Sequence, residues 1–110
     1  MNEIIEYRKA TAEALGLKKV IFEDDDRFDT FRLWHPDTDH NQMAMVEDWL
    51  IEHGIRISYE YRIDRSIINE WECGIIRKTD KGRYAYDKSK LIAFRKAFMS
   101  YIKPESNGRD

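Results

Sequence analysis

The amino-acid sequence predicts an α+β fold, an antiparallel sheet of four to five strands packed with three helices, in the order α-β-β-α-β-β-(β)-α. Three observations predict it: three segments place apolar side chains at helical spacing, other segments alternate apolar and polar residues, and hairpin-length turns join the strands. Strands grouped between separate helices favour an antiparallel sheet. We expect a single domain over residues 1–103 and a flexible tail over residues 104–110.

The first helix is predicted over residues 2–15, with Asn2 as its N-cap and Gly16 left-handed after its last turn. The segment LKKVIFE then indicates a strand, because β-branched and aromatic residues follow one another in it. A charged turn leads into a second strand, TFRLW, which we expect to pair antiparallel with the first.

The later elements follow the same two kinds of spacing. They are a helix over residues 38–53, strands in IRISYEYRI and IINEWECGII, a short optional strand around Tyr84–Tyr86, and a helix over residues 88–102. IRISYEYRI alternates almost without fault, which predicts a strand with one wet face. Gly54 should close the helix over residues 38–53, and Asp87 should cap the last helix.

The stretch HPDTDHNQ contains the side chains of a possible metal site. Imidazole and carboxylate groups suit zinc, iron or manganese, so a metal-dependent enzyme using His35, Asp37 and His40 is one alternative. The stretch lacks the paired histidines of a helical metal motif. We therefore predict no metal and no cofactor.

The same stretch is also a good start for a helix. Thr38 or Asp39 can cap the first turn, and Gln42 stands three residues after Asp39 as a capping-box partner. This interpretation accounts for the polar residues without any ligand, and we prefer it to a metal site.

Few residues suggest catalysis. Cys73 is the only cysteine, and its apolar neighbours predict a small buried residue, with no disulfide within the chain. Glu60, Glu70 and Glu72 are expected to share the polar face of neighbouring strands, which leaves a carboxylate pair for acid–base chemistry open. Such residues are usually just solvated, so we predict no catalytic residue.

Charge is distributed unevenly along a chain whose formal net charge is only −2. Residues 22–54 contain ten acidic and two basic residues, whereas residues 74–103 contain nine basic and two acidic ones. The two segments can offset each other within the fold or between copies of the chain. Alternatively, the basic segment 77–96 binds nucleic acid, with aromatic residues available for stacking. The residues predicted for that interface are Arg77, Lys78, Lys81, Arg83, Tyr84, Lys88 and Lys90.

The segments LWHPDTDHNQMAMVEDWL, YEY, WECG and LIAFRKAFMSYI together resemble the small phage and prophage proteins grouped as the phage α-β-α sandwich domain. The resemblance covers residues 28–102, and the chain departs from the pattern in a charged insertion around residues 78–83. The matching positions are Trp34, Pro36, Thr38, Asp39, Trp71 and residues 93–101. The resemblance implies strands between helix layers and a phage or prophage origin, in a family of unknown function that brings no catalytic residues.

We therefore expect a phage- or prophage-type accessory protein that acts by macromolecular contact without catalysis. Its expected partner is a second copy of itself, as a homo-oligomer, or a phage or host protein. No apolar run approaches the roughly 20 residues of a membrane span, so we expect a soluble, cytoplasmic protein with no membrane partner.

Overall fold

The computed structural model describes residues 2–23, 31–63, 69–77 and 82–102. These residues form an α+β structure with three helices and two small sheets. By its internal contacts the chain divides into two compact units, Met1–Trp49 and Leu50–Asp110. The single domain over residues 1–103 stays a prediction, and the predicted tail lies outside the described residues.

The first unit begins with helix α1 (Glu3–Leu15), whose two ends are the predicted ones. The Oδ1 atom of Asn2 accepts hydrogen bonds from the backbone N–H groups of Ile4 and Ile5, at 2.8 and 3.2 Å. Gly16 ends the helix in the left-handed region, with φ +68°. Local side-chain chemistry therefore determines where this helix starts and stops.

Strands β1 (Val20–Ile21) and β2 (Arg32–Leu33) form a parallel pair, so the antiparallel pairing predicted for them is wrong. The backbone N–H of Trp34 donates to the carbonyl of Ile21 at 2.8 Å and extends the pairing. The connection between the two strands far exceeds a hairpin loop, and this length allows the chain to return in the parallel direction.

Trp34 is the largest fully buried side chain of the described residues, and it belongs to the first unit. Its indole N–H donates to Thr11 Oγ1 at 2.8 Å, and the Thr11 hydroxyl is within 2.9 Å of the Tyr7 carbonyl. A buried indole nitrogen needs such an acceptor, because losing its bond to water would otherwise cost about 1–3 kcal/mol.

Helix α2 (His40–Glu52) contains the boundary between the two units and starts two residues later than predicted. Asp39 is its N-cap, since its Oδ1 atom accepts from the N–H groups of Asn41 and Gln42 at 2.8 and 3.0 Å. Gly54, with φ +77°, follows its last turn as predicted.

The predicted capping box between Asp39 and Gln42 is wrong. The Asp39 N–H already donates to the carbonyl of His35 at 3.1 Å, so the donor that a capping box needs is occupied. The Gln42 side chain turns back to the end of β2 instead. Its Oε1 accepts from the His35 N–H at 2.6 Å, and its Nε2 donates to the Leu33 carbonyl at 3.1 Å.

The second unit contains β3 (Arg56–Arg62), β4 (Glu70–Ile76) and β5 (Arg83–Asp87), which form an antiparallel sheet with β4 in the centre. The optional third strand of this region therefore exists. Within the described parts of the chain, one continuous sheet of four to five strands is not observed, because β1 and β2 pair there with each other and not with β3, β4 or β5.

Helix α3 (Lys90–Ile102) packs on β4 and β5 of the second unit. It buries Ala93, Phe94, Ala97 and Phe98, which repeat at three- and four-residue intervals along one side. Cys73 is buried as predicted.

Asp87 does not cap α3, contrary to the prediction. Ser89 does, because its Oγ accepts from the N–H of Ile92 at 3.3 Å. The Asp87 carboxylate instead accepts from the Ser89 N–H and from Lys96 Nζ, both at 3.0 Å. The Ser89 bond first, and then the Lys96 bond, lower the pKa of Asp87 below its ordinary value of 3.8.

The helices of the described residues are 13 residues long, and none is long and apolar enough to cross a membrane.

Candidate functional site

Strand register divides the side chains of the second unit's sheet between two faces. Residues directly opposite each other in neighbouring strands lie on the same face, and successive residues alternate. One face carries Cys73 and lies under α3. The other face, called the open face below, consists of Arg56, Ser58, Glu60, Arg62, Glu70, Glu72, Gly74, Ile76, Tyr84 and Tyr86.

Tyr84 lies across the central strand of the open face. It stands directly opposite Gly74, where an added Cβ atom would come within 2.6 Å of the Tyr84 Cε2 atom. Glycine is therefore what allows the ring to rest against the backbone of β4. Tyr84 as a whole still exposes 48% of its surface. It is thus an aromatic surface held in a defined position and open to a partner.

Tyr86, the next residue of β5 on this face, is held by two charged neighbours. Its hydroxyl donates to Glu72 Oε2 at 2.8 Å, and Arg62 Cζ lies 5.6 Å from the centre of its ring. The hydrogen bond to Glu72, together with burial and the charge of Glu72, raises the pKa of Tyr86 above its ordinary value of 10.0, against the opposing effect of Arg62. Tyr86 therefore remains a neutral donor to the Glu72 side chain.

Two carboxylates lie side by side in the middle of the open face. Glu60 stands directly opposite Glu72, and Glu70 stands opposite Arg62. The prediction that the three glutamates share one face is thus confirmed by the register. Like charges directly opposite each other destabilise a strand pair, so the pair formed by Glu60 and Glu72 costs the free protein stability. A positive group placed between them would remove that cost.

The residues predicted for nucleic-acid binding are distributed over different surfaces. Lys78 and Lys81 lie outside the described residues. Tyr84 is on the open face, whereas the register puts Arg83 on the face under α3, opposite Ile75. Lys88 is exposed just after β5.

Two further cations of that set lie over aromatic rings. Lys90 Nζ is 4.3 Å from the ring centre of Tyr59 and 5.3 Å from that of Trp71. Arg77 Cζ is 4.9 Å from the ring centre of Tyr101. The described members of the set therefore do not form one basic surface, and their role in binding nucleic acid stays a prediction.

The three residues of the metal alternative are not brought together. Asp37 forms a bidentate ion pair with Arg8, with Oδ1 2.8 Å from Nε and Oδ2 3.1 Å from Nη2. His35 Nδ1 lies 2.7 Å from Thr38 Oγ1, and His40 is exposed at the start of α2. Among the described residues, no group of three or more histidine, cysteine or acidic side chains could hold a metal ion.

Sequence reasoning did not identify Gly74 as part of the site. A glycine inside a strand of otherwise large residues was the available signal, since it often marks a close approach by another group. Alternation placed Glu60 and Glu72 on polar faces, but only the strand register puts them opposite each other.

No protein-family model, curated protein or solved structure matches this chain. The resemblance to the phage α-β-α sandwich domain therefore stays a prediction.

Proposed function

We propose that this chain is a contact protein that binds another protein through the open face, with a lysine or arginine of the partner seated between Glu60 and Glu72. The observation that carries the proposal is the directly opposed pair of carboxylates beside the exposed rings of Tyr84 and Tyr86. A role as a phage or prophage accessory protein fits this activity and rests on the resemblance alone.

Charge favours a cationic partner over an anionic one. In the register Glu72 stands between Glu60 and Tyr86, so neither carboxylate has a basic residue directly opposite it. A cation between them gains two attractive interactions and removes one repulsive interaction. Tyrosine rings add apolar area at a low cost in conformational entropy, a property that suits them to protein interfaces.

The proposal is tested with a short peptide of alternating lysine and valine, and with a matched peptide of alternating glutamate and valine. Binding is followed by the backbone amide resonances of β3, β4 and β5. We expect saturable shifts with the lysine peptide alone, weakened by salt because exposed charges are screened. Equal binding of both peptides, or shifts confined to α1, would reject the open face as the site.

Charge-neutral variants sharpen this test. Glu60→Gln and Glu72→Gln keep the side-chain shape, and glutamine at position 72 can still accept from the Tyr86 hydroxyl. Each variant is expected to weaken the lysine peptide about 1.5- to fivefold, the range of an exposed ion pair. Each should also stabilise the free protein by about 0.2–1 kcal/mol, because the repulsion is gone. Glu13→Gln, at an exposed position of α1, is the matched control and should change neither quantity.

Size measurement decides whether the partner is a second copy of the chain. Light scattering after gel filtration, over a range of protein concentrations, gives the mass of the wild type and of Glu60→Gln. A homo-oligomer that dissociates in the variant identifies the second copy as the partner. A monomer that binds the lysine peptide identifies a different protein.

A second candidate function is the binding of single-stranded nucleic acid along β5. The specific observation in its favour is that Tyr84 and Tyr86 expose their rings on the same face, shortly before the exposed Lys88. Filter binding of an oligothymidylate at low salt tests it, with Tyr84→Leu and Lys88→Gln expected to weaken retention. Glu72→Gln separates the two functions, because losing a negative charge should strengthen nucleic-acid binding and weaken peptide binding.

A further inference from the structure

The first unit contains a cleft that shares no residue with the open face. Its volume is about 420 Å³, within the range of sites that hold small molecules. It is lined by Leu17, Lys18, Lys19, Val20, Arg32, Trp34 and Met45. The lining therefore combines three cations with an aromatic ring and three aliphatic or thioether side chains.

The cations of this cleft are not engaged by the rest of the described chain. Lys18, Lys19 and Arg32 are all exposed, and among residues 2–23, 31–63, 69–77 and 82–102 none of their side chains forms an ion pair or a hydrogen bond. Three like charges at one cleft repel one another, and a bound anion would relieve that repulsion.

The apolar part of the lining is formed by Leu17, Val20, Trp34 and Met45. Trp34 is fully buried and its indole N–H is already donated to Thr11, so it backs the cleft without presenting a polar group. Met45, a flexible and polarisable side chain, is 36% exposed at the cleft. The exposed apolar part of this lining therefore suits a flat or aliphatic body.

Backbone conformation at Lys19 is a further indication that the cleft is used. Lys19 has φ +59°, the only positive value at a non-glycine position of the described residues. Glycine adopts this region without the steric cost that a lysine incurs there, and such positions are enriched at ligand-binding sites. The Lys19 carbonyl also accepts from the Arg32 N–H at 3.1 Å, which links two of the cations through the backbone.

We infer that this cleft binds a small ligand that carries a phosphate or carboxylate group on an apolar body, with Arg32 and Lys19 contacting the anionic group and Met45 contacting the body. Arginine offers paired N–H donors that match the two oxygens of such a group.

The test titrates the full chain with phenyl phosphate, inorganic phosphate and benzyl alcohol, and follows the amides of Lys19 and Arg32 and the indole N–H of Trp34 by NMR. Phenyl phosphate is expected to give saturable shifts at all three positions. Inorganic phosphate should bind about tenfold more weakly than phenyl phosphate, and the shifts caused by benzyl alcohol should not reach saturation. No saturation by phenyl phosphate up to about 10 mM would overturn the inference. Equal binding of phenyl phosphate and inorganic phosphate would overturn the apolar part of the ligand class.

Variants separate a specific site from general charge attraction. Arg32→Gln and Lys19→Gln should each weaken phenyl phosphate about tenfold, the value of one charge-assisted contact. Lys19→Gly should weaken it equally while raising the unfolding midpoint, because it removes the amine together with the backbone strain. Lys9→Gln, on the exposed surface of α1, is the matched control. A comparable loss in that control would overturn the inference.

Discussion

Gly74→Ala tests whether the Tyr84 ring is held against the central strand. An alanine Cβ would lie 2.6 Å from Cε2 and 2.9 Å from Cδ2 of that ring, separations that Cβ atoms in proteins essentially never show. Gly74 does not have positive φ, so the backbone itself accepts alanine. The ring must therefore swing away from β4 and lose its contact with the strand.

The cost can be worked from the exposure of Tyr84. About half of its surface is buried, since 48% is exposed. For a side chain of roughly 200 Å² this is on the order of 100 Å², or about 2.5 kcal/mol if all of it were lost. The replacement of glycine by alanine also stabilises the protein by about 0.4–1 kcal/mol, because alanine lowers the conformational entropy of the unfolded chain. We expect a net loss of about 1–2 kcal/mol, measured by equilibrium urea unfolding.

A double-mutant cycle decides whether the ring is responsible. In a Tyr84→Ala background, Gly74→Ala should be neutral or stabilise by up to about 1 kcal/mol, because no ring remains to be displaced. An equal loss in both backgrounds would refute the reasoning. The Ser58 Oγ atom also lies 2.9 Å from the added Cβ, and a loss abolished only by Ser58→Ala would identify that hydroxyl as the obstacle instead.

Three further predictions concern stability, each measured by equilibrium unfolding. Asp37→Ala leaves the largely buried Arg8 guanidinium without its carboxylate and should cost about 3 kcal/mol; a loss below about 1 kcal/mol would contradict a stabilising pair. Thr11→Val removes the acceptor of the Trp34 indole and should cost about 1–3 kcal/mol, so an unchanged midpoint would show that the bond is dispensable. The lowered pKa of Asp87 means that its stabilisation is present above pH 3.8 and is lost as the pH falls through the folded-state value. Asp87→Asn should therefore be less stable than wild type near neutral pH and equal to it in strong acid; a difference that persists in acid would contradict this.

Most helix ends were predictable from the sequence because they depend on a few neighbouring residues, but the start of α3 was not, since Ser89 and not Asp87 caps it. Asn2 and Asp39 accept N–H groups two and three residues ahead, and Gly16 and Gly54 adopt positive φ where their helices stop. Gln42 could not be placed in the same way. The Gln42 side chain could bond either at the helix start or at the end of β2. The donor that it needs at the helix start, the Asp39 N–H, is already bonded to the His35 carbonyl, so Gln42 bonds at the end of β2.

The pairing of the short strands was beyond sequence reasoning. With two residues each, β1 and β2 have too little alternation to indicate a direction, and the direction depends on the route of the connection. In the longer strands, alternation correctly put Glu60 and Glu72 on polar positions. Which residues lie opposite each other depends on register, and therefore on turn geometry that the pattern of β3 and β4 does not contain.

The rate at which the buried Cys73 thiol reacts with a reagent reports how often the second unit opens locally. Its strand has a neighbour on either side, with Tyr59 and Ala85 directly across from it, so an alkylating reagent reaches the sulfur only when this packing comes apart. The ratio of the labelling rate in the folded protein to the rate in the unfolded chain thus gives the free energy of this local opening, and no engineered probe is needed. A partner seated on the sheet should slow the labelling by the factor with which it favours the closed state.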